Sequence, residues 1–308
     1  MADSNRTSLR IQEEVAWNTP VTTNMVRARF TGESLVPEVE NIVSNELRSD
    51  RMVSDLIQVS RQNSGGFDFE LSYSTFDLLL EGALFGDWTT DVLKQGIIEH
   101  SYSIEKAHED IDEYFLFSGM MVNEFNLTLA TSAIATGSFG FLGGTATLGQ
   151  ATNATTLTAA NSNSIMNCMG NVASLMEATY GGTLTAFTGV YVQELSIAIA
   201  NNLRPVMAIG SNVMQEVAVG KADITGTLNA YFTSDRLFDK FLAGTSVAIQ
   251  FQITDGTNSY TVLIPKVKFE TESIPASGQD QDVIENLTWR AIRDSSTATM
   301  LQITRVTG

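Results

Sequence analysis

The sequence holds few side chains whose type and spacing could support catalysis. Its two histidines, His100 and His108, lie in the charged stretch EHSYSIEKAHEDIDE. A spacing of eight residues fits no zinc-protease motif, and no GxSxG stretch marks a serine hydrolase nucleophile. We therefore expect both histidines to be solvated surface residues, and we expect the chain not to be an enzyme.

Four carboxylates accompany the second histidine, at Glu109, Asp110, Asp112 and Glu113. They could bind a cation, but their spacing differs from that of a calcium loop. A run of charges is usually a solvated face of a protein. The sequence leaves the role of this acidic cluster open.

The glycine-rich stretch GSFGFLGG (137–144) and the single cysteine, Cys168, also lack a catalytic pattern. The glycines are not followed by the Gly-Lys-Ser/Thr of a phosphate loop, and turns or bulges explain them. Cys168 has methionine neighbours and is expected to be a small buried hydrophobe. The sequence therefore predicts no catalytic residue, no cofactor and no metal ion.

Composition limits the possible partners. Across 308 residues, 18 basic side chains face 35 acidic ones, and the formal net charge is −17. No cluster of Lys and Arg offers a binding surface for a phosphate backbone. No run of 18 apolar residues predicts a membrane span, and the polar opening MADSNRTSLRIQEE lacks the apolar region of a secretory signal. Together with the lone cysteine, this predicts folding in a reducing cytoplasm.

Alternating apolar and polar residues predict a mainly β protein. The predicted strands are 67–73, 125–129, 224–230, 287–291 and 301–306, with a hairpin over 247–269 that turns at Asp255-Gly256. Two short segments, DLLLEGALFG (77–86) and DRLFDKFLAG (235–244), carry one apolar face each and predict helices. Each predicted helix follows a strand, which is typical of a few helices packed on sheets.

The two halves of the chain resemble each other. Phe30-Thr31-Gly32 matches Phe187-Thr188-Gly189, and three further pairs of segments, including the two predicted helices, match at offsets of 156 to 158 residues. We interpret this as a tandem duplication. The first copy covers 1–145 with an N-terminal arm and the second covers 184–308. Residues 146–183, rich in Thr, Ala and Asn, are interpreted as a linker that becomes ordered against other chains.

Long segments of the chain resemble a known family. The segment ARFTGESLVPEVENIVSNELRSDRMVSDLIQVSRQNSGGFDFELSYSTFDLLLEGALFG (28–86) is similar to the opening of a siphophage major tail protein, the tail tube protein. Later segments with the same likeness are FTGVYVQELSIAIANNLRPV, ITGTLNAYFTSDRLFDKFLAGT, SGQDQDVIENLTWRAI and LQITR. The likeness covers residues 8–306.

This resemblance implies a structural virion protein. It implies a β-sandwich or half-barrel with a short flanking helix in each copy, two tandem tail-tube folds, and rings that stack into a tube. The implied partners are other copies of the chain, a tape measure protein, and tail terminator and baseplate proteins, with DNA passing through without specific binding. The implied location is the virion tail, after assembly in the host cytoplasm.

Two expectations join the resemblance to the duplication. If one fold is a sixth of a ring, a chain with two folds is a third, so a trimeric pseudo-hexamer is favoured over a hexamer. The long stretch between Glu46 and Gln62 is expected to be a loop that reaches the adjacent ring. Its candidate inter-ring contacts are Arg48, Asp50, Arg51 and Asp55. The sequence does not identify the residues that would face the lumen.

Two other classes of function stay open at this point. One is a different virion β-sandwich protein, such as a capsid decoration or baseplate component. The other is a carbohydrate-binding or hydrolytic virion domain, which would need aromatic side chains or carboxylates that converge in a cleft. Trp17, Trp88 and Trp289 are scattered along the sequence and are expected to lie in the core.

Overall fold

A computed structural model describes residues 1–276 and 278–308. A 3-10 turn at Ser4–Arg6 comes first, and the two α-helices are α1 (Asp77–Leu84) and α2 (Arg236–Leu242). The strands are β1 (Thr7–Glu13), β2 (Asn24–Arg27), β3 (Gly32–Glu33), β4 (Val36–Val43), β5 (Leu56–Glu70), β6 (Val92–Lys94), β7 (Tyr102–His108), β8 (Glu113–Ala130), β9 (Thr136–Gly143), β10 (Thr145–Gly149), β11 (Thr156–Thr158), β12 (Val172–Thr179), β13 (Thr185–Ala186), β14 (Val192–Ala200), β15 (Arg204–Val206), β16 (Glu216–Ala218), β17 (Asp223–Tyr231), β18 (Val247–Thr254), β19 (Ser259–Ser273), β20 (Ile284–Ala291) and β21 (Gln302–Val306). The predicted mainly β fold class is confirmed.

Eight antiparallel strands form what we call the main sheet, in the order β4–β5–β9–β8–β14–β17–β20–β19. The long strands β8 and β19 also belong to two flanking sheets through their first halves. The first flanking sheet runs β11–β2–β1–β7–β8–β10, and the second runs β13–β12–β18–β19–β21–β6. Helix α1 packs on β8 and helix α2 on β19.

The core lies between the main sheet and the flanking sheets. Along β8, Phe125, Leu127 and Leu129 are buried, whereas Glu124 and Asn126, on either side of Phe125, are exposed. Side chains alternate between the two faces of a strand, so one face of the main sheet packs on the core and the other stays polar. Trp289 in β20 is fully buried on the apolar face.

The predicted local elements are found, with changes at their ends. Helix α1 ends at Leu84 because Phe85 adopts the left-handed conformation (φ 52°), and Gly244 with φ 57° follows the end of α2. The two helices are eight and seven residues long, and neither is long and apolar enough to cross a bilayer in the described part of the chain.

Residues 146–183, which we expected to be a linker that becomes ordered against other chains, are ordered against their own chain. β10 pairs with β8, β11 with β2, and β12 with β18. The side-chain amides of Asn161 and Asn163 donate to the Tyr73 carbonyl oxygen, and Met166 is fully buried. Polar side chains that satisfy backbone groups hold this segment in place without an apolar pattern along its sequence.

Candidate functional site

The two histidines contact side chains of β1. His100 is buried, and its Nδ1 lies 2.7 Å from Glu13 Oε1. His108 is half-buried, with its Nδ1 3.0 Å from Thr7 Oγ1. The expectation that both are solvated surface residues is therefore wrong, because Glu13 and Thr7, at the two ends of β1, contact them.

The acidic cluster after His108 is partly neutralised by arginines. Glu109 Oε1 lies 2.7 Å from Arg10 Nη2 and 2.6 Å from Arg27 Nη2. Burial acts to raise the pKa of Glu109, but hydrogen bonds from Arg10 and Ser8 hold it below its ordinary value. Asp110 accepts a hydrogen bond from the Asp3 backbone N–H at 2.6 Å. Within residues 1–276 and 278–308, no group of three or more His, Cys, Asp and Glu side chains could hold a metal ion.

Cys168 and the three tryptophans also have packing roles. Cys168 is half-buried against the core, and burial raises the pKa of its thiol. Trp88 packs on the same core, and Trp17 packs on a smaller apolar cluster near Met121. These aromatic side chains do not converge in one cleft, so nothing in their placement resembles a sugar-binding site.

The polar face of the main sheet is the first exposed surface of functional interest. Its centre is an open groove lined by Asp68, Glu124, Asn126 and Ser138. Across the described residues of the eight strands, the acidic side chains on this face are Glu38, Glu40, Asp68, Glu70, Glu124, Glu194, Asp223 and Glu270, and the basic ones are Lys268 and Arg290. The face is therefore acidic, and it would repel phosphate groups.

The two ends of the main sheet are open edges. At one end, β4 pairs with β5 alone in the described chain. At the other end, residues 268–273 of β19 pair with β20 on one side, while β18 covers only the first half of β19. Unpaired N–H and C=O groups on such edges can pair with another chain.

The third surface is the hairpin arm, which we define as residues 36–64: β4, the loop 44–55 and the first part of β5. All eight residues of β4 are exposed, and so are the first four of β5. Ile42, Leu56 and Ile57 each expose more than half of their surface. A two-stranded hairpin with exposed apolar side chains needs a partner surface for stability.

The candidate inter-ring residues lie at the tip of the hairpin arm. Arg48 Nη2 and Asp50 Oδ2 form an exposed ion pair at 2.6 Å. Arg51, with φ 59°, and Asp55 are also exposed. The loop is shorter than expected, because β5 begins at Leu56 rather than after Gln62. Sequence reasoning missed the exposed apolar residues of the arm, since alternation indicates a strand but not whether the strand is covered.

One comparison with known proteins identifies a relationship over nearly the whole chain. A family model described as "Phage tail tube protein" matches residues 4–291. No curated protein matches the chain.

Proposed function

Since this chain belongs to the phage tail tube protein family, and so is a structural protein of the virion tail, we propose that its copies join edge to edge into rings that stack into the tube. The observation that carries this proposal is the pair of open edges, β4 and the end of β19, at opposite ends of one sheet. A head-to-tail contact between them repeats until the ring closes. Closure turns the main sheets into one barrel and removes both edges.

The strand registers support two copies of one fold in each chain. β8 and β9 share a bulge between Val122 and Glu124, and β19 and β20 share one between Phe269 and Thr271. A second feature also recurs. Ser34 Oγ accepts the Gly66 N–H at 3.1 Å, and Ser196 Oγ accepts the Thr227 N–H at 3.0 Å.

On this basis the copies are residues 1–145 and 184–308, joined by 146–183. The pairing of β14 with β8 then joins the two copies within one chain. Three chains would place six such folds in a ring, so a trimeric pseudo-hexamer is favoured over a hexamer.

Ring stoichiometry gives the test of this proposal. We expect purified protein to form rings and tubes, and a cryo-EM reconstruction without imposed symmetry to contain three chains per ring with approximate sixfold symmetry. Six equivalent chains per ring would contradict the duplicated fold. A protein that stays monomeric, or that forms caps or isolated trimers, would contradict the tube.

The acidic polar face is proposed to line the lumen, so that DNA passes without binding. The tape measure protein would occupy the same space before DNA enters, and terminator and baseplate proteins would cover the ends of the tube. Assembly would take place in the host cytoplasm, and the activity is mechanical rather than enzymatic.

The lumen assignment predicts a gain of DNA binding. Wild-type tubes should release short double-stranded DNA at low salt, whereas tubes of Asp68→Lys/Glu124→Lys should retain it. This retention should fall steeply as salt rises, because counterion release drives binding to phosphates. The control is Glu99→Lys, an exposed position outside the main sheet, and the measurement is co-sedimentation of labelled DNA. Equal release of DNA by tubes of Asp68→Lys/Glu124→Lys and of Glu99→Lys would show that the polar face is not the lumen wall.

A further inference from the structure

Two carboxylates lie side by side near the open edge of β19. Glu285 in β20 is almost fully buried, and Glu272 in β19 is its neighbour. Burial and the adjacent Glu272 raise the pKa of Glu285 to about 8. Three of their carboxylate oxygens, Oε1 and Oε2 of Glu272 and Oε1 of Glu285, are buried without a hydrogen-bond partner in the described chain. A buried acidic pair is costly unless a shared proton or a cation neutralises it, so this site fits a cation from outside the chain.

Within one chain, the paired strands β14 and β8 form what we call the internal joint. The side chains beneath it show what covers the place equivalent to the Glu272–Glu285 site. Phe125 and Leu127 of β8 line one cavity together with Ile197 of β14 and Phe251 of β18. The first two side chains come from the first half of the molecule and the last two from the second. The joint is therefore sealed by an apolar cluster beneath the paired strands.

Strand registers identify the equivalent positions at the two open edges. The shared bulges align Val122 with Phe269, so Glu272 takes the place of Phe125 and Ile274 that of Leu127. The bulges after Tyr102 and Val247 align β7 with β18, so Lys106 takes the place of Phe251. The matching Ser34 and Ser196 bonds place Leu35 where Ile197 lies.

We propose that the joint between neighbouring copies of this chain repeats the internal joint, with residues 34–38 of one copy against residues 271–275 of the next and Lys106 against the Glu272–Glu285 pair. The proposal rests on the proposed ring assembly and names its contact. Two observations support it independently of the alignment. Lys106 Nζ lies 2.6 Å from Glu33 Oε1, so it already sits beside the β3–β4 edge. The opposite edge carries the carboxylates that lack a partner.

The sequence at the joint also limits how far the strands can pair. Pro37 occupies the place of Ile199 and has no N–H to donate toward the neighbouring copy. A proline on an open edge discourages indiscriminate strand pairing. The buried ion pair would then contribute specificity to a joint whose ladder lacks one bond.

Charge reversal tests the ion pair. Lys106→Glu and Glu272→Lys, each shown to be folded by circular dichroism, should each raise the concentration needed for ring formation by roughly tenfold or more. The double variant should recover most of this loss, while Lys94→Glu, an exposed position on β6, should assemble like the wild type. Normal assembly of both single variants, or a double variant no better than the singles, would overturn the joint.

A cross-link tests the register without changing a buried group. Val36 and Ser273 take the places of Ala198 and Asn126, which lie opposite each other in the internal joint. Both positions are exposed, and opposed residues of antiparallel strands are close enough for a disulfide. In a Cys168→Ala background, Val36→Cys/Ser273→Cys should give covalent rings on a non-reducing gel, whereas Val36→Cys/Lys268→Cys should not.

The outcomes separate this inference from the proposed function. Wild-type rings in which Val36→Cys/Ser273→Cys fails to cross-link would overturn the joint alone. Absence of wild-type rings at every protein and salt concentration would overturn the ring proposal and the joint together.

Discussion

Replacing residues 45–54 by Asn-Gly should give a folded chain that still forms rings but no longer forms tubes. The Ser44 N–H donates to the Asp55 carbonyl at 3.0 Å, so a two-residue turn can close the hairpin at that pair. The replacement removes Leu47, Met52 and Val53, each of which exposes more than two-thirds of its surface. If this tip packs on the adjacent ring, its loss removes the apolar part of that contact. Negative-stain electron microscopy of wild-type and variant particles is the measurement.

A matched variant separates apolar from polar contacts at the tip of the hairpin arm. Arg48→Ala/Asp50→Ala removes an exposed ion pair, and exposed ion pairs contribute little to binding. This variant should therefore still form tubes, with only a modest change in the amount of protein needed. Full-length tubes from the shortened arm would contradict its proposed role, and loss of tubes from the double alanine variant would indicate that the charged residues carry the contact.

The second large effect is expected for Glu105→Ala in β7, with a loss of about 3 kcal/mol in the free energy of unfolding. Glu105 is fully buried, and its Oε1 lies 2.6 Å from Nη1 of the buried Arg10. The same carboxylate accepts hydrogen bonds from Thr152 Oγ1 and from the Asn153 N–H, both at 2.7 Å. Its removal leaves Arg10 with Glu109 alone, and the segment between the halves loses its attachment to β7.

Urea unfolding and amide hydrogen exchange provide the measurements for Glu105→Ala. Exchange should increase in residues 150–158 even where the chain remains folded, because opening of this segment no longer breaks the bonds to Glu105. Glu99→Ala, at an exposed position, is the matched control and should leave stability unchanged. A stability within experimental error of the wild type would mean that the buried pair contributes nothing net.

The sequence by itself determined the features that depend on a few neighbouring residues. The apolar face of 77–86 and the Gly at 244 predict helices that are found at Asp77–Leu84 and Arg236–Leu242. The turn at Asp255-Gly256 joins β18 and β19, with Gly256 at φ 99°. Periodicity and turn chemistry depend on residues within about ten positions of one another, so they predict local structure without information about the rest of the chain. The resemblance over 8–306 predicted the family for the same reason, since it is carried by contiguous segments.

Only the tertiary structure decided which strands meet and which edges stay open. The matching residues predict two copies offset by about 157 positions, whereas the similar bonds of Ser34 and Ser196, on the proposed duplication, correspond to an offset of 162. Loops of different length shift the offset, and a sheet preserves which face a side chain occupies rather than its identity. For the same reason, the burial of His100 against Glu13 and the pairing of β14 with β8 depend on segments far apart in the chain. Such long-range pairing leaves no local pattern, because each strand alternates in the same way whatever its neighbour is.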